Sequence, residues 1–431
     1  MNNMTAEQAS PVRKRVAVIG AGISGLTAAY ILKKAADVTI YESAYRLGGH
    51  ADTHDVTDGS GKSLAVDTGF IVHNPHTYPT LRRLFEELGV ETQEADPSLS
   101  VRCDGCGLEY AGAKGLPGLF ARRRSLISSR YLAMLAQVPA FNFRARRLLD
   151  EGSLDPSPTL DEFLRQGRFS RYFVQHYITP LVSAVWSCGP ELAGQYPARY
   201  LFPYFARHGL LSIRESPSWR TVVGGSRTYV ERLGKQLPIV RLATPVRAVR
   251  RFLGGIEIYD DADNMETFDA VVLATHADQA LRLLADPNER ERAVLGAFSY
   301  SENEVLLHTD AALLPRRAAA RASWNYLLPA CQPSNDAVQV SYHMNQLQCL
   351  DADEDYVVTL NGRAQVRPEH VLERATYRHP IYTPASVAAQ RRLHEIASPT
   401  TVFAGAYHGW GGHEDGCRSG LQAAQALGVN W

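Results

Sequence analysis

Apolar residues in this chain fall into short runs separated by glycine turns and longer amphipathic stretches. RVAVIG (15–20) is a β-branched run, the pattern of a strand buried on both faces. LTAAYILKKA (26–35) has the spacing of a helix, and DVTIYE (37–42) reads as a second strand. Strand, helix and strand within about thirty residues make the βαβ unit of a dinucleotide-binding half. SLSVRCDG and LEYAGA predict two strands around a turn. Residues 115–150 read as helical and basic, and helix continues through TLDEFLRQ and 172–186. TPVRAVRRF and GIEIYD predict a strand pair, and FDAVVLAT another buried strand. Alternating strands follow in NEVLLHTD, SWNYLLP, AVQVSYHMN and DYVVTL; TVFAGA then gives a last strand and RSGLQAAQAL a last helix. The α/β segments at the start, middle and end, with helical and antiparallel segments between them, predict two interleaved domains.

Glycines mark where a ligand would lie. Gly20-Ala21-Gly22-Ile23-Ser24-Gly25 follows the first strand and opens the first helix. Gly20 permits the tight turn, Gly22 lets a pyrophosphate approach the backbone, and Gly25 lets helix and strand pack closely. The helix N-terminus adds free N–H groups and partial positive charge. Glu42, about twenty residues on, is placed to accept from ribose hydroxyls and argues against a 2′-phosphate. Arg46-Leu47-Gly48-Gly49-His50 is a second glycine turn with a phosphate-pairing arginine, and Asp67-Thr68-Gly69-Phe70 a third.

Composition excludes several classes. Lys+Arg and Asp+Glu both number 45 in 431 residues, so no global field attracts nucleic acid. Hydrophobic residues at 45% and charged residues at 21% are those of a globular protein. Six cysteines, mostly far apart, do not form a secreted framework. No apolar run reaches the ~20 residues of a membrane span. The polar start lacks an apolar segment of the signal-peptide kind, which predicts a cytoplasmic protein. Cys103-Asp104-Gly105-Cys106 reads as a hairpin turn with redox thiols as the alternative; a zinc site would want a second such pair or paired histidines, and none follows in sequence. No metal is expected. The acids of His413-Glu414-Asp415 read as helix-start partners, not ligands. The arginine-rich stretch after Gly115 reads as a solvated helical face, or as a surface attracting anionic lipid or a carboxylate-headed substrate.

The succession GAGISGL, YESAYRLGGH, VDTGF, WRTVVGGSRTYVERL, TPVRAV, VVLATHAD and FAGAYHGWGGHEDGCRSGLQAA resembles the flavin-containing amine oxidase, phytoene desaturase and protoporphyrinogen oxidase superfamily. It is most similar to a bacterial branch of predicted NAD/FAD-binding proteins related to fatty-acid double-bond isomerases. The resemblance implies an α/β fold: a glutathione-reductase-type Rossmann FAD domain (15–75, 215–292 and 398–431, after a disordered tail at 1–14) with an inserted α+β substrate domain (76–214 and 293–397). It implies that FAD contacts Gly20, Gly22, Ile23, Ser24, Gly25, Glu42, Ser43, Arg46, Gly48, Gly49, His50, Thr68, Gly69, Phe70 and the Val246 backbone. Gly405 and Glu414-Asp415-Gly416 would reach the ribityl and isoalloxazine end; EDGCRSG is shorter between its glycines than the amine oxidase pattern. Tyr407 and His408 are the candidates for groups beside the flavin, His408 as an acid/base with a near-neutral pKa. The expected activity is hydride transfer with a small hydrophobic unsaturated substrate, as isomerase or desaturase. Amine oxidation is the alternative, weakened because no lysine follows Lys235. A non-catalytic FAD scaffold is the third reading.

Overall fold

The computed structural model describes residues 13–151, 157–212, 217–332 and 338–431. Most of the tail expected at 1–14 lies outside them. Its end is ordered structure: Arg13 donates to the Lys33 and Ala36 carbonyls, and Lys14 begins the first strand.

Strand β1 (Lys14–Ile19) and strand β2 (Ala36–Tyr41) pair in parallel on either side of helix α1 (Ile23–Leu32). Three strands from distant parts of the chain complete the sheet. Ile239–Arg241 joins beyond β2, Ala270–Leu273 joins beside β1, and Thr401–Phe403 closes the far edge, all in parallel. The near-continuous apolar character of β1 and Ala270–Leu273 follows from coverage on both faces. All ten residues of α1 are buried, so the helix shows no polar face. The terminal helix His413–Ala426 lies against it through small residues. A Cβ at Gly420 would fall 2.2 Å from the Ser24 carbonyl, and one at Gly416 would fall 2.8 Å from Ile23.

The second layer is a seven-stranded sheet in the order Val371–Ile381, Ser299–His308, Val357–Leu360, Val340–His343, Trp324–Leu328, Leu99–Cys103, Leu108–Ala111. Only the contact between Trp324–Leu328 and Leu99–Cys103 is parallel. Helices Ser129–Asp150, Leu160–Gln166, Thr179–Trp186 and Ala198–Arg207 pack on one side of it around Phe141, Phe163, Phe173, Phe202 and Phe205. Helix Pro79–Leu88, assigned by sequence to this half, packs differently. Its Leu81, Leu84, Phe85 and Leu88 share a core with Leu26 and Ile31 of the nucleotide side. Strand Val371–Ile381, eleven residues long, was not expected from the sequence.

Candidate active-site cleft

A cleft of about 860 Å³ runs from the mouth of the parallel sheet to the face of the seven-stranded sheet. That is toward the upper end of the ~300–1,000 Å³ usual for ligand sites.

At one end the glycine turns meet back to back. Gly20 has φ +98°, and a Cβ there would lie 2.6 Å from the Ala274 carbonyl. A Cβ on Gly25 would lie 1.9 Å from the Gly20 carbonyl, so this glycine serves helix–strand contact and does not line the cleft. Gly22, the N-cap of α1, differs: a Cβ there meets nothing within 4 Å and would project into open space. The first amides of α1 have no intrahelical acceptor. Gly48 donates to the Ala21 carbonyl at 2.9 Å, which seats the second glycine turn against the first. The Arg46 guanidinium braces that turn through the Gly49 and Ala51 carbonyls and pairs with Asp52 at 2.7 Å. Glu42 sits at the tip of β2, where its carboxylate accepts from the amides of Ala21 and Ala44 at 2.7 and 2.8 Å. Ser43 and Val246 also line this end.

The middle of the cleft is built by the third turn and a group of imidazoles. Gly69 must be glycine, since a Cβ would fall 1.9 Å from the His50 carbonyl. Phe70 stacks on His413 at 3.9 Å, and Thr68 shares a 2.7 Å hydrogen bond with Tyr377. His50 lies 5.0 Å from the Tyr377 ring, 5.6 Å from His379 and 6.1 Å from His276. His50 Nε2 and His276 Nδ1 are buried without a protein partner. Burial, reinforced by the neighbouring imidazoles, pushes His276 down to about 4 and His379 and His413 down to about 3. These rings are uncharged at neutral pH.

The far end is aromatic and apolar: Trp186 and Tyr204 from the helices, and Trp324, Tyr342 and Leu360 from the seven-stranded sheet. Trp324 and Tyr342 are register partners, their rings 5.4 Å apart and edge to face. Among the described lining residues Glu42 is the only carboxylate, and there is no lysine.

Of the sequence candidates, Gly20, Gly22, Ile23, Ser24, Glu42, Ser43, Arg46, Gly48, Gly49, His50, Thr68, Gly69, Phe70, Val246, Gly405 and Tyr407 border this cleft. Five others do not line it: Gly25 serves helix–strand contact, and the remaining four lie as follows. His408 faces a separate cavity of about 250 Å³ with Arg199, Arg207 and Arg418, and burial pushes its pKa down to about 4. A near-neutral acid/base at the cleft is therefore not its role. Glu414 points away, accepting the Thr80 and Leu81 amides at 3.0 and 2.9 Å, and so caps helix Pro79–Leu88. Asp415 caps its own helix through the Gly412 amide and pairs with Arg418 at 2.6 Å. Gly416 is a helix-packing glycine against Ile23. Tyr407 borders the cleft but is 2% exposed, its ring against Phe298 and its hydroxyl without a partner. His276, His379 and His413 were missed, because isolated histidines far apart in sequence carry no spacing signal; their meeting is tertiary.

A Rossmann-type nucleotide cradle opening onto a mixed sheet and helical layer is the architecture of flavin-dependent oxidases. A sequence profile of the flavin containing amine oxidoreductase family matches residues 23–346, and the chain belongs to that family. It is 25% identical over 286 residues to the coproporphyrinogen III oxidase of Mycobacterium leprae (strain TN), across 62% of this chain and 60% of that relative's length. The fold is similar to that of a CLA-producing fatty acid isomerase from P. acnes, with TM-score 0.69 and 17% identity over 96% of this chain and 99% of the other. It is likewise similar to cyclohexylamine oxidase from Brevibacterium oxydans IH-35A, with TM-score 0.67 and 16% identity over 96% and 99%. The protein is an FAD-dependent oxidoreductase. The cradle suits that cofactor: open space in front of Gly22, a helix N-terminus facing it, and a carboxylate at the end of the second strand.

Proposed function

We propose that the protein acts on an apolar unsaturated substrate, fatty-acyl or polyene-like, as a double-bond isomerase or desaturase. The observation that carries this reading is the cleft wall away from the glycine turns. Among the described residues it offers Trp186, Tyr204, Trp324, Tyr342 and Leu360, no lysine, and no carboxylate to receive an ammonium group. The charged side chains bordering the cleft beyond Glu42 are Arg46, Arg282 and Arg378, which disfavour a cationic amine.

In this reading Gly22, Ser24 and the first amides of α1 receive the pyrophosphate. Glu42 accepts from the adenosine ribose, and Arg46, Gly48 and Gly49 lie along the phosphates and ribityl chain. Bound FAD supplies two-electron acceptance and return, chemistry no side chain offers. The aromatic walls exclude water and orient the substrate's reacting carbon. The uncharged imidazoles of His276 and His379 keep a hydrogen-bonding but unionised wall between the two ends. A lipid source for such a substrate is supported by the exposed Leu116, Leu126, Ile127, Leu132 and Phe143, which lie in the same stretch as exposed Arg123, Arg124 and Arg130. Among the described residues no helix is long and apolar enough to cross a membrane.

The test is anaerobic incubation of the flavin-loaded protein with unsaturated fatty acids, a polyene, a porphyrinogen and a polyamine, reading product mass and double-bond position. A product of unchanged mass with a shifted double bond supports isomerisation. A lipid lighter by two hydrogens, with the flavin bleached once, supports desaturation. Turnover confined to the amine or the porphyrinogen overturns the proposal.

A further inference from the structure

The hairpin between Leu99–Cys103 and Leu108–Ala111 forms as its Asp-Gly turn predicts, but its cysteines are not alone. The loop after strand Trp324–Leu328 brings Cys331 to Cys103, with the two Sγ atoms 3.8 Å apart. His176 comes from the opposite side and sets Nε2 3.6 Å from the Cys106 Sγ. The four ligand atoms of Cys103, Cys106, His176 and Cys331 lie within 4.8 Å of one another. Three segments separated by 70 to 155 residues therefore converge on one point. The sequence expectation of no metal rested on the lack of a nearby second ligand pair; the chain supplies the other two ligands from afar.

These spacings have a specific meaning. A tetrahedral zinc with Zn–S of about 2.3 Å and Zn–N of about 2.0–2.1 Å sets S···S edges of about 3.8 Å and S···N edges of about 3.6 Å. A disulfide would need sulfur atoms about 2.05 Å apart, and Cys103 and Cys331 are well beyond that. The surroundings are those of a ligand set. His176 Nδ1 faces the Tyr172 carbonyl at 3.1 Å, which protonates Nδ1 and leaves Nε2 as the free lone pair. The imidazole stacks on the Tyr172 ring at 4.0 Å, and the Tyr110 hydroxyl fixes the His176 carbonyl at 2.8 Å. His176 sits in a π-helical turn, Val174–Ile178, which turns it out of the regular helical register. Gly105 allows the close approach, since a Cβ there would meet the Cys331 amide at 2.8 Å.

We propose that Cys103, Cys106, His176 and Cys331 bind a structural zinc ion. Four protein ligands leave no open position, so the ion is a staple and not a second reaction centre. It ties the edge hairpin of the seven-stranded sheet to the helical layer and to the loop after Trp324–Leu328, a place where the fold has no disulfide among its described cysteines.

The test is metal analysis of the tag-free, FAD-bound protein purified under reducing conditions, followed by exchange with cobalt(II). We expect about one zinc per chain, and in the exchanged protein the visible bands of tetrahedral cobalt–thiolate beyond the flavin absorption. Cys106→Ser, at the exposed corner of the set, and Cys331→Ser should each cut bound zinc about tenfold or more while the flavin-to-protein ratio stays at the wild-type value. The wild-type measurement decides the matter even if a variant fails to fold. Absence of zinc with no stoichiometric uptake from added zinc overturns the proposal. So does zinc that survives both substitutions, or a Cys103–Cys331 disulfide found by mass mapping in the protein as isolated.

Discussion

The two ends of the cleft are made in opposite ways. The nucleotide end is built from residues adjacent in sequence, Gly20 to Gly25 and Arg46 to His50, and its shape is set by backbone. The aromatic end and the imidazoles between are assembled from side chains of many separated segments, and their properties come from burial. A local backbone device fails when a Cβ is added. A tertiary side-chain device fails when its environment is changed.

Acid should expose the difference most strongly. His276, His379 and His413 have folded-state pKa values of about 4, 3 and 3, below the unperturbed 6.5. Groups with a depressed folded pKa lose stability as pH falls below the unfolded value, because only the unfolded chain then takes up protons. At pH 5 each costs about 2 kcal/mol, and three together approach the ~5–15 kcal/mol of an ordinary domain. Tm measured from pH 7.5 to 5 should fall steeply below pH 6.5, and a flat profile would mean these rings are not buried as neutral groups. Gly22→Val comes next. Its φ of −70° suits any residue and its Cβ meets no protein atom, so the apoprotein should fold with an unaltered Tm. FAD affinity should nevertheless drop by about 3 kcal/mol, roughly a hundredfold or more. A yellow variant would remove the pyrophosphate from this turn. Glu414→Ala should cost about 1–2 kcal/mol in denaturant unfolding, because two helix-start amides lose their acceptor, with no change in flavin content. Lost flavin would return Glu414 to the cofactor. The smallest effect is expected for Tyr407→Phe, less than about 0.5 kcal/mol either way, since its hydroxyl has no partner to lose. A fall in turnover with flavin intact would assign that hydroxyl to the reaction.

How legible each part was follows from the same contrast. β1, α1, β2 and the glycine turns could be read directly, since their signal is local spacing under a backbone constraint. Strand Val371–Ile381 could not: it lies at the edge of its sheet, carries Glu373, Arg374, Arg378 and Pro380, and alternates too weakly to stand out. The acids at 414 and 415 read both as helix-start groups and as cofactor contacts; Asp415 caps its own helix. Sequence could not show that Glu414 serves helix Pro79–Leu88 across the fold. His408 looked useful beside Tyr407, but the short 3₁₀ turn Ala406–His408 points neighbouring side chains into different cavities.

The parallel sheet has a bearing on how the protein is made. Its far strand, Thr401–Phe403, and the helix that covers α1 are synthesised long after the glycine turns. Until residues 401–426 are synthesised, the wholly buried α1 lacks one of its covers and β1 lacks the completed sheet around it. Such long-range closure is slow and leaves apolar surface unprotected while translation proceeds. The cradle read most easily from one local stretch of sequence is therefore completed only when a distant stretch has joined it.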